Sequence, residues 1–313
     1  MFLRLGAGLI YLLGGGDLLV RGAVALARRT GVPPVVVALT VVAFATSLPE
    51  LVVAIRASLS GYPGLILGAV IGSNAANVLL VGGASAIFFP VACGERTVRR
   101  NGAVMLGVSL LFVALCSRGE VTRPGGILLL AGFALVIALT ARTSIRAYEE
   151  ADTTTPLDWV LGLPHQLGTI VFFIAVGVML LPLGAGFLVE AAVEIAAQFG
   201  VSNTVVGLSV VAIGTSLPEL VTTVLAALQK RADVAIGTIV GSNTFNILAI
   251  MGVGATISPS PIPVSSHVLL FDLPVMVGAS SIVVLIAWTG GSIGRRTGIA
   301  FVVAYFGYLW TLY

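Results

Sequence analysis

Long apolar stretches run the length of the chain, broken at short intervals by prolines, glycines and charges. The breaks divide it into ten segments: 2–29, 33–58, 63–89, 100–117, 124–147, 166–198, 202–228, 233–257, 266–289 and 296–312. Most reach the roughly 18–20 residues that a helix needs to cross a bilayer. The pattern predicts an all-α integral membrane protein with ten transmembrane helices. The most polar stretch, YEEADTTTPLDW from Tyr148 to Trp159, falls midway. It reads as a linker between two five-helix halves, expected at 1–147 and 166–313 with a cytoplasmic connection over 148–165.

The halves are copies of one another. Residue 31 aligns with residue 200, and the offset of 169 holds without a gap to Pro90 and Pro259, with about 26 of those 60 pairs identical. The first segment has its own counterpart in 171–198, so it is expected to be a retained membrane helix and not a cleaved signal. Five helices per half is an odd number, so the second half must enter the membrane from the opposite side. The expected architecture is therefore an inverted repeat, with a binding site near the midplane where the halves meet.

Composition agrees with the pattern: 58% of residues are hydrophobic and 9% charged. A soluble domain usually carries about 25% charged residues. The net charge of +3 is a matter of topology and gives no reason to expect a nucleic-acid partner. With the N-terminus outside, eleven Lys and Arg fall near cytoplasmic ends and four near outer ends. This predicts a multi-pass protein of the cell (inner) membrane with both termini outside. Cys93 and Cys116 lack metal-ligand spacing and read as packing residues. No HExxH or P-loop motif is present, and neither an enzyme nor a cofactor is expected.

The candidate chemistry lies in two duplicated motifs. The first is TVVAFATSLPELVVAI (Thr40–Ile55), answered by SVVAIGTSLPELVTTV (Ser209–Val224). Proline in a helix interior lacks the N–H owed to the carbonyl four residues back. Pro49 should free the carbonyl of Ala45 and loosen that of Thr46, and Pro218 should act likewise on Gly214 and Thr215. At each break sits a carboxylate, Glu50 or Glu219. A charge at mid-membrane costs at least about 2.5–3.5 kcal/mol. Arg21 is expected to pair with Asp17, which leaves no basic residue near either glutamate before Arg56 and Lys230. The natural partner is a bound cation or a proton. Carboxylates, carbonyls, hydroxyls and amides are oxygen donors that suit hard cations such as Ca²⁺ and Na⁺. The second motif is GAVIGSNAANVLL (Gly68–Leu80), answered by GTIVGSNTFNILA (Gly237–Ala249). It sets Ser73 with Asn77, and Ser242 with Asn246, on one helical face. Its glycines are expected to let helices approach closely. Glu190 and Glu194 read as a solvated rim, and His267 and Asp272 as loop or helix-end residues.

At these residues the chain resembles the cation/Ca²⁺ antiporter superfamily, in its sodium/calcium exchanger branch of prokaryotic type. The likeness extends over essentially the whole chain. It implies exchange of Na⁺ against Ca²⁺ by alternating access, with Glu50 and Glu219 as central Ca²⁺ ligands shared by Na⁺. It implies carbonyl ligands from Thr46 and Thr215, and flanking Na⁺ sites built from Ala43, Ala212, Ser47, Ser216, Ser73 and Ser242. Asn77 and Asn246 would line the middle. The first and sixth helices would slide, with Gly14, Gly15, Gly16, Gly184 and Gly186 as contact points. Asn246 is an amide where some relatives carry Asp, which argues against K⁺ co-transport. The residues alone leave H⁺/Ca²⁺ exchange open, and a passive cation channel as a more distant reading. The expected partners are Ca²⁺, Na⁺ and the lipid bilayer, and a monomer suffices.

Overall fold

A computed structural model describes residues 2–32, 34–59, 63–150, 164–198 and 212–311. All ten segments are helical over described residues, but several are interrupted. The helix α1 is Phe2–Thr30. The next segment is broken: α2 comprises Pro34–Val37, a π turn at Ala38–Val42 and Ala43–Thr46, and α3 is Leu48–Leu59, bent from α2 by 49°. Then α4 runs through Pro63–Ala76, a π turn at Asn77–Gly82 and Gly83–Phe88. It is followed by α5 (Arg96–Cys116), α6 (Arg123–Glu150) and α7 (Leu167–Gln198). The seventh segment is seen as α8 (Ala212–Thr215) and α9 (Leu217–Leu228). The motif residues Ser209–Val211 and most of the expected linker lie outside the described residues. Next, α10 comprises Ala232–Phe245, a π turn at Asn246–Met251 and Gly252–Ile257. Finally, α11 joins the π turn Val268–Asp272 to Leu273–Trp288, and α12 is Arg295–Trp310.

Seven described helices are long and apolar enough to cross a membrane, and the bent pair makes an eighth. The protein is thus a multi-pass membrane protein. Its outer faces carry exposed large apolar side chains such as Phe172, Met179, Leu285, Val303 and Trp310, while serines, threonines and asparagines are buried. That distribution suits a hydrocarbon surround with backbone polar groups closed within helices. The most central element is α10, whose residues Val234–Phe245 are all buried.

The two halves are stitched together by contacts that occur twice. Outside the helices, β1 (Val91–Ala92) pairs antiparallel with β4 (Ser292–Ile293), and β2 (Glu120–Val121) with β3 (Ile262–Pro263). Each ladder joins a strand following the third segment of one half to a strand preceding the last segment of the other. Within the bundle, a Cβ on Gly83 would meet the Gly298 carbonyl at 2.8 Å, and one on Gly126 would meet the Gly252 carbonyl at 2.9 Å. Gly83 and Gly252 are 169 residues apart, so these too are one crossing made twice.

Helices α1 and α7 cross antiparallel on glycine. A Cβ on Gly177 would lie 2.8 Å from the Gly15 carbonyl, and one on Gly184 would lie 2.8 Å from that of Gly8. Of the expected sliding contacts, Gly15 and Gly184 are in this interface. Gly16 instead meets Val221 and Leu225 of α9, and Gly14 and Gly186 meet nothing within 4 Å among the described residues. The pair Asp17–Arg21 forms as expected, at 2.8 Å, and Gln229 also donates to Asp17. Glu190 and Glu194 lie at an exposed rim where Arg4 pairs with both.

Asp272 departs from expectation. It closes the π turn of α11 and is buried, accepting a hydrogen bond from Tyr308 Oη (3.0 Å) and lying 3.1 Å from His267 Nδ1. A carboxylate is tolerated there because α12 brings a phenol donor to it.

Candidate functional site

The two breaks have the same geometry. Ser47 sits between α2 and α3 at φ −89°, ψ 7°, and Ser216 between α8 and α9 at φ −88°, ψ 2°. The sequence suggested a proline inside a helix. In the structure the chain turns two residues earlier, so Pro49 and Pro218 occupy the first turn of a new helix. There the missing N–H costs nothing, because first-turn donors have no intrahelical partner. Glu50 and Glu219 follow immediately, also in the first turn, where the positive end of the helix dipole favours a carboxylate.

The folded chain brings these duplicated elements together. Ser47 Oγ donates to Glu219 Oε1 at 2.9 Å, a hydrogen bond from one half to the other. Glu50 lies close enough to feel the charge of Glu219. Both are almost completely buried, at 4% and 1% exposure. Among the described residues neither has an ion pair with Lys or Arg.

The amides come from the other duplicated pair of helices. Asn77 opens the π turn of α4 and Asn246 opens that of α10, again 169 residues apart. A π turn inserts one residue into the helical register and is frequent at functional sites. Ser73 and Ser242 lie one turn earlier and are buried. The carbonyl of Ala43 is occupied within its own half: it accepts from Ser47 N–H (3.1 Å) and Thr46 Oγ1 (3.3 Å). An ion ligated there would require the Thr46 hydroxyl to turn away. Ala212 and Thr215 form the matching helical turn, α8.

Most of the polar side-chain atoms of these carboxylates and amides lack a partner among the described residues. Glu50 Oε2, Glu219 Oε2, both polar atoms of Asn77 and Asn246, Ser216 Oγ and Ser242 Oγ are buried without a hydrogen bond. A buried polar group left unsatisfied costs about 1–3 kcal/mol, and more when charged. Six of these eight atoms are oxygens, the donor type that hard cations take. The set carries two negative charges and no positive one, so its chemistry fits a hard cation.

One further pair was not singled out from the motif. Asn243 Nδ2 donates to the carbonyl of Asn74 at 3.2 Å. These residues are themselves 169 apart, and repeat-equivalent positions touch only close to the axis relating the copies. Both are 1% exposed. The constant offset was the signal that marks them.

Comparison with known proteins bears on this geometry. A family model described as sodium/calcium exchanger protein matches residues 1–141 and 169–313. The putative antiporter CaxA of Alkalimonas amylolytica is 34% identical over 98% of this chain and 96% of its own length. The sodium/calcium exchanger MaX1 of Methanosarcina acetivorans is 30% identical over 100% of this chain and 98% of its own. Among solved structures, the sodium-calcium exchanger NCX_Mj soaked with zero Na⁺ and Ca²⁺ superposes with a TM-score of 0.85. It is 29% identical and covers 99% of this chain and 98% of its own. A family match over both halves, carrying the duplicated carboxylates and amides, means that this chain belongs to the sodium/calcium exchanger family.

Proposed function

We propose that the protein exchanges Na⁺ for Ca²⁺ across the membrane by alternating access, the ions competing for one site between two inverted five-helix halves. The observation that carries this reading is the buried set of unpartnered oxygens that includes Glu50 and Glu219, two negative charges with no Lys or Arg ion pair among the described residues. One Ca²⁺ neutralises the pair. Na⁺ ions use the same carboxylates together with hydroxyls and carbonyls on either flank, so occupation by one ion displaces the other.

Roles are assigned by position. Glu50 and Glu219 bridge the ion at the centre, assisted by the carbonyls of Thr46 and Thr215. Asn77 and Asn246 line the middle without adding charge. Ser47, Ser73 and Ala43, with Ser216, Ser242 and Ala212, flank it on the two sides. The halves are residues 1–147 and 166–313 with the connection 148–165, ten crossings in all, and both termini outside. The two equal breaks at Ser47 and Ser216, the doubled ladders and glycine crossings, and a family match in two stretches all support inversion. Sliding of α1 and α7 together against the remaining helices alternates access, with their glycine crossing holding the two as one unit.

The test is ⁴⁵Ca²⁺ uptake by Na⁺-loaded proteoliposomes. The wild type is expected to take up Ca²⁺ only when a Na⁺ gradient is present, and Glu50→Gln and Glu219→Gln each to abolish uptake. Undiminished uptake in both variants would refute the site. Uptake driven by a pH gradient in Na⁺-free buffer would replace Na⁺ by H⁺ as the coupling ion.

A further inference from the structure

Many buried hydroxyls in these helices are satisfied by their own helix. Ser85, Ser109, Thr222, Thr238 and Thr244 each donate to the carbonyl four residues earlier, at 2.7–2.9 Å. Among the described residues four buried hydroxyls have no partner: Ser216, Ser242, Thr223 and Ser280. The first two belong to the site already described. Thr223 is fully buried, on α9. The carbonyl that would receive its hydroxyl is that of Glu219, and Thr222 Oγ1 already approaches it at 3.1 Å.

The position of Thr223 is specific. It follows Glu219 by four residues, on the same helical face and about 6 Å further along the axis. The opposite face of α9 is accounted for: a Cβ on Gly16 of α1 would meet both Val221 and Leu225 at 2.9 Å. Thr223 lies about 200° around the helix from each of these, as Glu219 does from Val221. Both therefore look away from the α1 contact, and α9 also packs on α10 and on the π turn of α4 that begins at Asn77. The hydroxyl stands one turn beyond the carboxylate, on the Lys230 side. The repeat makes the comparison sharper. The counterpart of Thr223 is Ala54, equally buried, with a methyl group in place of the hydroxyl.

We propose that Thr223 Oγ1 is an additional ion ligand at the cytoplasmic end of the site, used by an ion moving between Glu219 and the cytoplasm, with no equivalent at the outer end. A hydroxyl is a neutral oxygen donor of the kind hard cations accept, so it replaces a water of hydration and leaves the site at two negative charges. Duplication alone would make the two passages alike. Thr223 opposite Ala54 makes them chemically different.

This inference rests on the exchanger reading, and the experiment separates the two. Right-side-out and inside-out membrane vesicles holding the full-length protein are assayed for Na⁺-driven ⁴⁵Ca²⁺ flux, with Ca²⁺ varied on one face at a time. Thr223→Val preserves shape and removes the oxygen. It is expected to raise the half-saturating Ca²⁺ concentration about three- to tenfold on the cytoplasmic face and to leave the outer face unchanged. Thr223→Ser is expected to restore the wild-type value. Ala54→Thr is expected to lower the half-saturating concentration on the outer face alone, and it keeps the test valid should Thr223→Val fail to reach the membrane. No change on either face, or equal changes on both as a packing defect would give, overturns the inference. Absence of Na⁺-driven flux in the wild type overturns the exchanger reading instead.

Discussion

The crossing of α1 and α7 makes a quantitative prediction from two glycines two residues apart. A Cβ added at Gly184 would lie 2.8 Å from the Gly8 carbonyl oxygen, 2.8 Å from the Leu12 backbone nitrogen and 2.9 Å from Leu12 Cγ. Ordinary contact begins near 3.4 Å, so the helices must separate by roughly 0.6 Å. Two of the three obstacles are backbone atoms, and no rotamer change relieves them. Overpacking of this kind costs about 1–3 kcal/mol. At Gly186, about 200° around the same helix, an added Cβ meets nothing within 4 Å. Gly184→Ala should therefore lower the thermal midpoint in detergent by several degrees and slow exchange, because the two helices that must move together are wedged apart. Gly186→Ala should match the wild type in both assays. The measurements are tryptophan-fluorescence melting and initial ⁴⁵Ca²⁺ flux on the same preparations. Equal behaviour of the two variants would refute the argument that close backbone approach at Gly184 holds and guides these helices.

Two other predictions concern groups away from the ion site. Burial pushes the Cys93 thiol up to about 11, so at pH 7.5 only about one molecule in three thousand carries the thiolate. Maleimide should leave Cys93 unlabelled in the folded protein between pH 7 and 8 and modify it after denaturation, as read by mass spectrometry. Tyr308→Phe removes the donor to buried Asp272 and should cost about 1.5–3 kcal/mol, the range for hydrogen bonds to charged groups. A double-mutant cycle with Asp272→Leu, which leaves no acceptor, should recover most of that as coupling, and additive losses would count against the pair.

Much of the site was legible in the sequence because duplication turned weak signals into strong ones. One Pro-Glu step in an apolar run is ambiguous. Two such steps at one offset, each followed by the same Ser-Asn pair, restrict what both can be doing. Glu50, Glu219, Asn77, Asn246, Ser216 and Ser242 are all buried, and each has at least one polar atom without a partner among the described residues. The details that escaped depend on tertiary contacts. The break falls at Ser47 and Ser216, because proline is more comfortable in a first turn than in an interior. The π turns leave no trace in hydrophobic periodicity, since one inserted residue shifts the apolar face without erasing it. Asp272 is buried only because Tyr308, 36 residues later, returns to meet it. Gly184 and Gly186 look equivalent as letters, and only the facing helix tells them apart.

The paired ladders have a consequence for engineering. A strand of one half finds its mate only in the other, and the same mating occurs at the second copy. Such reciprocal pairing is what two half-length chains would make in a self-complementary dimer, each supplying the strand that the other lacks. Two fragments made by cutting within 151–163 should therefore find each other when co-expressed, whereas either alone would leave its strand edges and glycine faces without a mate.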